Sequence, residues 1–172
     1  MKILKLSILA LVCVAFTSTG IAQTLKMGHI NSQALLAVMP EVKDAQAQLE
    51  SYINQLDGQA KTMTGEYQKL LEDYQIYAQS PSADDLIRKS KEDKIMDLER
   101  RIQEFQVSAQ EKIGKKEAEL YAPIETKALD AINTVAEQNG FTYVLNSASL
   151  VYAATTSQDI LPLVKTHLGI AN

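Results

Sequence analysis

From Val42 onward the apolar positions recur at alternating steps of four and three. Val42, Leu49, Leu56, Met63, Leu70 and Tyr77 stand seven apart, and Gln46, Ile53, Ala60, Tyr67 and Tyr74 form a second row between them. Ten of these eleven positions are apolar, and a seam sustained over five heptads predicts a long helix packed against a partner helix. Gly58 and Gly65 lie off the seam, each about 1 kcal/mol less favourable in a helix than Ala, so the helix leans on that partner. The pattern stops at Gln79-Ser80-Pro81-Ser82-Ala83-Asp84-Asp85. Pro81 is costly in a helix interior, and Ser82 followed by Asp85 has the spacing of an N-cap with an acid at N3.

A second helix follows, with Ile95, Leu98, Ile102, Phe105 and Ala109 at four-three spacing and a phase slip through Ile113 toward Leu120 and Ile124. Acid-before-base pairs at i,i+4 accompany it: Asp84–Arg88, Asp85–Lys89, Asp97–Arg101 and Glu111–Lys115. With so short a link the two helices are expected to fold back as an antiparallel hairpin, an arm of roughly 55–60 Å; one continuous kinked helix is the alternative. Pro123 suits either the first turn of a new helix or a kink where the arm joins a body. Ile124, Ala128, Ala131, Ile132 and Val135 give the next buried face, closed by Asn139-Gly140, with Gly140 at a left-handed C′ position.

Beyond Gly140 the period changes. Phe141 to Leu145 and Leu150 to Ala154 read as two strands joined by the turn at Asn146-Ser147. Ser157 or Asp159 then caps a short helix whose apolar residues are Ile160, Leu161, Val164 and Leu168, with Pro162 in its first turn. A two-stranded hairpin is marginal alone. The other strand-like stretch is Leu25 to Ile30, which predicts a small sheet joining both ends of the chain with the helices as an excursion between them. The fold class is therefore mostly α with a small β body (α+β), a long antiparallel helical-hairpin arm projecting from a β-sheet base.

The first 22 residues carry a different pattern. Met1 to Lys5 is a short positive region, Leu6 to Phe16 an apolar run of 11 residues, and Gly20-Ile21-Ala22 offers small residues at the −3 and −1 positions of a cleavage site. That predicts a secretory signal cleaved near Ala22, with a retained N-terminal anchor as the rival. Boundaries follow: 1–22 signal peptide, 23–40 first strand and short helix of the body, 41–120 the arm with its tip at 79–84, and 121–172 return helix, β-hairpin and final helix.

Composition narrows the chemistry. The single cysteine, Cys13, falls in the signal, so the mature chain has no thiol for disulfides, and an exported chain without them depends on packing or oligomerisation. Of 17 Lys and Arg, removing Lys2 and Lys5 leaves 15 against 21 Asp and Glu, a mature charge of −6 that argues against nucleic acid as a partner. The two histidines, His29 and His167, stand outside any catalytic or metal-ligating motif, and the glycines form no phosphate loop. No enzymatic activity, catalytic residue, metal or cofactor is expected.

Several segments resemble the Skp/OmpH family of periplasmic chaperones. Met27-Gly28-His29-Ile30-Asn31-Ser32-Gln33-Ala34-Leu35-Leu36 is similar to the family's first strand and helix turn, and "LERRIQEFQ" (98–106) to its descending arm. "LYAPIETKALDAI" (120–132) resembles the return into the body, and "GFTYVLNSASLVYA" (140–153) with Gln158-Asp159-Ile160 resembles the closing hairpin and last helix. The resemblance implies a homotrimer with a β-rich base and three arms enclosing a cavity. It implies an ATP-independent periplasmic holdase for unfolded outer-membrane β-barrel proteins, with transient contact with the membrane surface as a further expectation. Two features depart from the family pattern: His29 where an aromatic or aliphatic residue is common, and an acidic charge where the well-known members are basic. Residues 41–79 hold seven acids and three bases, and residues 80–120 hold ten and nine.

Within that reading, Met63, Tyr67, Tyr74 and Tyr77 lie on the seam and are assigned to packing. Apolar residues off the seam, Tyr52, Leu71, Ile76, Ile87, Met96 and Val107, are the client-contact candidates. Met27, Ile30, Phe141, Val144, Leu150 and Val151 are the oligomerisation candidates. The competing reading is a structural or adaptor coiled coil of the cell envelope, for which longer heptads and no terminal sheet would be expected.

Overall fold

The computed structural model describes residues 25–170, so the expected signal peptide lies outside the described residues. Four helices and three strands follow in the order β1 (Met27–Ile30), α1 (Ser32–Val38), α2 (Pro40–Ala78), α3 (Asp85–Gln138), β2 (Tyr143–Asn146), β3 (Gln158–Asp159) and α4 (Leu161–His167). Helices α2 and α3 pack against each other and are joined by the short link 79–84, which makes the antiparallel arm. At 39 residues α2 is about 58 Å long.

Local chemistry explains the boundaries. Asn31 caps α1 by accepting from the Ala34 amide at 3.0 Å. Pro40 opens α2 in its first turn, where its missing N–H costs nothing. At the arm's tip the cap is Asp84, not the expected Ser82: Asp84 Oδ1 accepts from the amides of Leu86 at 2.8 Å and Ile87 at 3.3 Å. A carboxylate at N-cap satisfies two orphan donors, while the Ser82 hydroxyl is 3.1 Å from that of Ser80. The four expected i,i+4 ion pairs are not among those formed by the described residues; Asp85 pairs with Arg88 and Asp97 with Arg100 at i,i+3, and Arg100 also reaches Glu104 at i,i+4. Pro123 neither starts a helix nor breaks one, since α3 runs through it into the body. Gly140, with φ of 66°, ends α3 in the left-handed conformation expected of it.

The β-hairpin expected over 141–154 is not formed. The sheet order is β2-β1-β3, with both outer strands parallel to β1: Met27 aligns with Tyr143 and Ile30 with Asn146, while Gly28 aligns with Gln158 and His29 with Asp159. Asn146-Ser147 therefore does not reverse the chain. Ser147–Ser149 is a 3-10 turn whose Ala148 amide bonds to Asn146 Oδ1 at 3.1 Å, and Leu150–Ala154 crosses over without pairing. A tight turn can join only antiparallel neighbours, and parallel strands need a crossover. The arm is the crossover between β1 and β2, and residues 147–157 are the one between β2 and β3.

The core sits between the inner face of the sheet and the helices. Leu35, Met39, Ile160 and Val164 are fully buried, joined by Ile30, Val42, Ala45, Ile124, Ala128, Ala131 and Val135. Gly28 is fixed by a close approach, because a Cβ there would lie 3.1 Å from the Phe141 ring and 3.2 Å from Ile160 Cγ2. Gly28→Val should therefore destabilise the body by about 1–3 kcal/mol through overpacking, read as a lowered urea midpoint. By contrast, added Cβ atoms at Gly58 and Gly65 meet nothing within 4 Å. Each Gly→Ala change there should stabilise the arm by about 0.5–1 kcal/mol, read in the same denaturation series.

Candidate functional site: the arm surface and the open face of the sheet

Two helices cannot enclose a core, so the arm buries its seam on one side only. Leu56, Ile95 and Leu98 are buried there, while Leu49, Met63, Tyr67, Leu70, Ile102 and Phe105 are half-buried. Toward the tip polar contacts replace apolar burial. The Tyr74 hydroxyl donates to Glu92 Oε1 at 2.5 Å, Lys91 pairs with Asp73 across the two helices, and Lys91 Nζ lies 5.3 Å from the Tyr77 ring centroid. The Asp84 amide donates to the Tyr77 hydroxyl at 2.9 Å. Met63, Tyr67, Tyr74 and Tyr77 are thus half-buried seam residues, as their heptad positions predicted. The accepting Glu92 carboxylate raises the Tyr74 pKa, and the Asp97 and Glu104 carboxylates raise that of Arg100.

At the root of the arm Lys127 pairs with Glu41, tying α3 to the first turn of α2. The Lys127 ammonium lowers the Glu41 pKa below its usual value of 4.5.

The off-seam candidates separate into two groups. Tyr52 and Leu71 are half-buried against the arm, whereas Ile76, Ile87, Met96 and Val107 are exposed at 67, 48, 58 and 66%. Leu86, 81% exposed beside the tip, belongs with them. It lies off the same seam, so the heptad rule that found Ile87 could also have found it. Ile53, assigned to the seam, is more than one-third exposed.

The sheet has one covered face and one open face. Gly28, Ile30 and Val144 point toward the helices; Met27, His29, Tyr143 and Leu145 point away. Of the oligomerisation candidates, Ile30 is in the protomer's own core, Phe141 packs over Gly28 with Lys26 Nζ 4.2 Å from its ring centroid, and Val144 is half-buried against that core. Met27 and half-buried Leu150 lie on the open side, where they line one groove with Leu145 and Tyr152, while Val151 is fully exposed in the crossover. Tyr143, Leu145 and Tyr152 are exposed on that side as well. Alternation along 141–145 marked two faces in the sequence but did not say which one met the helices. His29 Nδ1 is 3.0 Å from Ser157 Oγ, a side-chain link across the open face from β1 to the residue before β3.

Among the described residues no polar or charged side chain is buried, and no three His, Cys, Asp or Glu side chains converge as metal ligands. No helix among them is long and apolar enough to cross a membrane.

A sequence model described as outer membrane protein (OmpH-like) matches residues 26–168, from the start of β1 to the end of α4. The chain belongs to the OmpH-like family. The family assignment covers sheet, arm and closing helix together. The fold is also that of a solved relative, a proposed outer membrane chaperone (OmpH-like) from Caulobacter crescentus CB15. It superposes with a TM-score of 0.72 at 13% identity, over 83% of this chain and 82% of the other. No curated protein sequence matches this chain. At that identity the OmpH-like architecture persists while most side chains differ, so the site residues rest on this chain's own geometry.

The Glu41–Lys127 tie gives a test at the root of the arm. A lowered carboxylate pKa contributes stability that is complete above the unfolded value of 4.5 and is lost as pH falls through the folded value. The difference in melting temperature between the wild type and Glu41→Gln should therefore be present at pH 7 and vanish in acid below that range.

Proposed function

We propose that this OmpH-like protein is an ATP-independent holdase of the periplasm. It would keep unfolded outer-membrane β-barrel proteins soluble between the arms of a homotrimer joined through the open faces of its sheets. One observation carries the reading: a long two-helix arm displays Ile76, Leu86, Ile87, Met96 and Val107 along its surface, exposed and away from its own seam. Clients of varied sequence are held by many weak, adaptable contacts rather than one pocket, and Met, Leu and Ile side chains supply them without demanding a fixed geometry. The expected signal in residues 1–22 supports export, and the OmpH-like family membership supports a chaperone role. The exposed apolar residues on the sheet, Met27, Tyr143, Leu145, Val151 and Tyr152, support assembly there, since such a patch on a small body marks an interaction surface.

The decisive experiment dilutes an unfolded outer-membrane barrel protein from denaturant with and without the purified mature chain, following light scattering. Suppression at stoichiometric trimer is expected, with no added nucleotide; unchanged aggregation would refute the holdase. Replacing Ile76, Leu86, Ile87, Met96 and Val107 together by Ser should weaken retention by about tenfold. The melting temperature should barely move, because exposed substitutions cost little. Leu145→Asp should raise the dissociation constant of the assembly by about 100-fold or more, as burying an unpaired carboxylate costs several kcal/mol. Intact oligomers in that variant would place the interface elsewhere.

A further inference from the structure

Midway along the arm the charge pattern lapses. Residues 41–120 carry 29 Asp, Glu, Lys and Arg among 80 positions, yet residues 51–65 of α2 hold only Asp57 and Lys61, and residues 105–110 of α3 hold none. Asp57 and Lys61 pair with each other at 3.8 Å, so this stretch presents no unbalanced charge. The two stretches meet across the arm, where Met63 of α2 and Phe105 of α3 line one groove.

That groove, of about 480 Å³, is completed by Gln55, Gly58, Gln59 and Thr62. Gly58 opens it: an added Cβ would meet nothing within 4 Å, so a side chain is missing beside a half-buried thioether and a half-buried ring. The Thr62 hydroxyl donates to the Gly58 carbonyl at 3.0 Å and is thereby used by its own helix. Exposed Gln55 and Gln59 carry carboxamides able to donate to and accept from a passing backbone. Sulfur and ring edge favour an aromatic partner, and no charge of the groove has to be desolvated when one enters.

We infer that this groove is a discrete subsite of the arm whose occupant is an aromatic side chain of an unfolded barrel strand. Resting on the proposed holdase, the inference names the part of the client that is held here. Strands of transmembrane barrels carry an uncharged apolar band flanked by aromatic girdles. The ring enters beside Met63 and Phe105, and Gln55 and Gln59 bond the peptide groups on either side of it. The apolar band then lies along the uncharged stretch, where Val107 is 66% exposed.

The test titrates the intact mature chain with a soluble peptide of about ten residues, patterned as a barrel strand with one Phe, and with a twin bearing Ala in its place. The methyl resonance of Met63 in methyl-labelled protein reports on the groove. The Phe peptide should shift that resonance and bind roughly tenfold or more tightly than its twin. Gly58→Leu projects a side chain into the groove and favours the helix. It should weaken the Phe peptide by about tenfold, leave the twin unchanged and not lower the melting temperature. Gln59→Glu, which sets a charge on the groove without removing bulk, should weaken the Phe peptide as well. Equal binding of the two peptides, or undiminished binding of the Phe peptide by Gly58→Leu, would overturn the subsite even where aggregation of a barrel protein is suppressed. A Met63 resonance that shifts when the chain alone is concentrated, and not with peptide, would assign the groove to a second copy and overturn it too. Binding of the Phe peptide at Met63 by a chain that fails to suppress aggregation would uphold the subsite and refute the holdase.

Discussion

The pairing of β1 with its two neighbours is the constraint on which the body depends. Strands β2 and β3 are not paired with each other; each pairs with β1, one on either side. Gly28 keeps the contact close, because the Phe141 ring and Ile160 lie over it at distances where a Cβ would push them back by a few tenths of an ångström. Ile30 then inserts into the core beside Leu35 and Val164. Backbone bonds at the ends complete the frame: the Thr142 amide to Lys26 carbonyl at 2.8 Å, and the Ile160 amide to His29 carbonyl at 3.0 Å. A strand of four residues thus fastens segments more than a hundred residues away, and so fixes where both roots of the arm leave the body.

That arrangement divides labour within one chain. The body has a shared core from sheet and helices, while the arm has only a seam, buried most deeply at Leu56 and Leu98 and replaced near the tip by Tyr74–Glu92 and Lys91–Asp73. A one-sided seam leaves much of each helix in water, and Gly58, Gly65 and Gly114 sit in that exposed helical stretch with nothing packed above them. Such a structure has few tertiary contacts along its length, so local opening there costs less than in the body. The Glu41–Lys127 tie and the Val42–Ala45–Ile124 packing mark where the arm joins the core of the body.

The helices were legible because their signals are local. Heptad spacing gave α2 and its seam, Pro81 gave the break, and Asn139-Gly140 gave the end of α3. Caps were less so: Ser82 and Asp84 both fit the chemistry, and the folded turn chose the carboxylate that reaches two amides. The exposed arm residues Ile76, Ile87, Met96 and Val107 followed from the seam by elimination, whereas Tyr52 and Leu71 also lie off it but are half covered by the arm.

By itself the sequence determined the long helices, their reversal at 79–84 and the strand character at both ends, all set by periodicity and residue type. Only the tertiary structure decided strand direction and which face met the core. Two strand-like runs close in sequence suggest a hairpin, but β1 arrives from far upstream and offers each later segment a partner on its own side. Pairing both in parallel buries Gly28, Ile30, Val144 and Ile160 toward the helices and turns Met27, Tyr143 and Leu145 outward. Those two outcomes depend on contacts between residues far apart in the chain, and no local pattern encodes them.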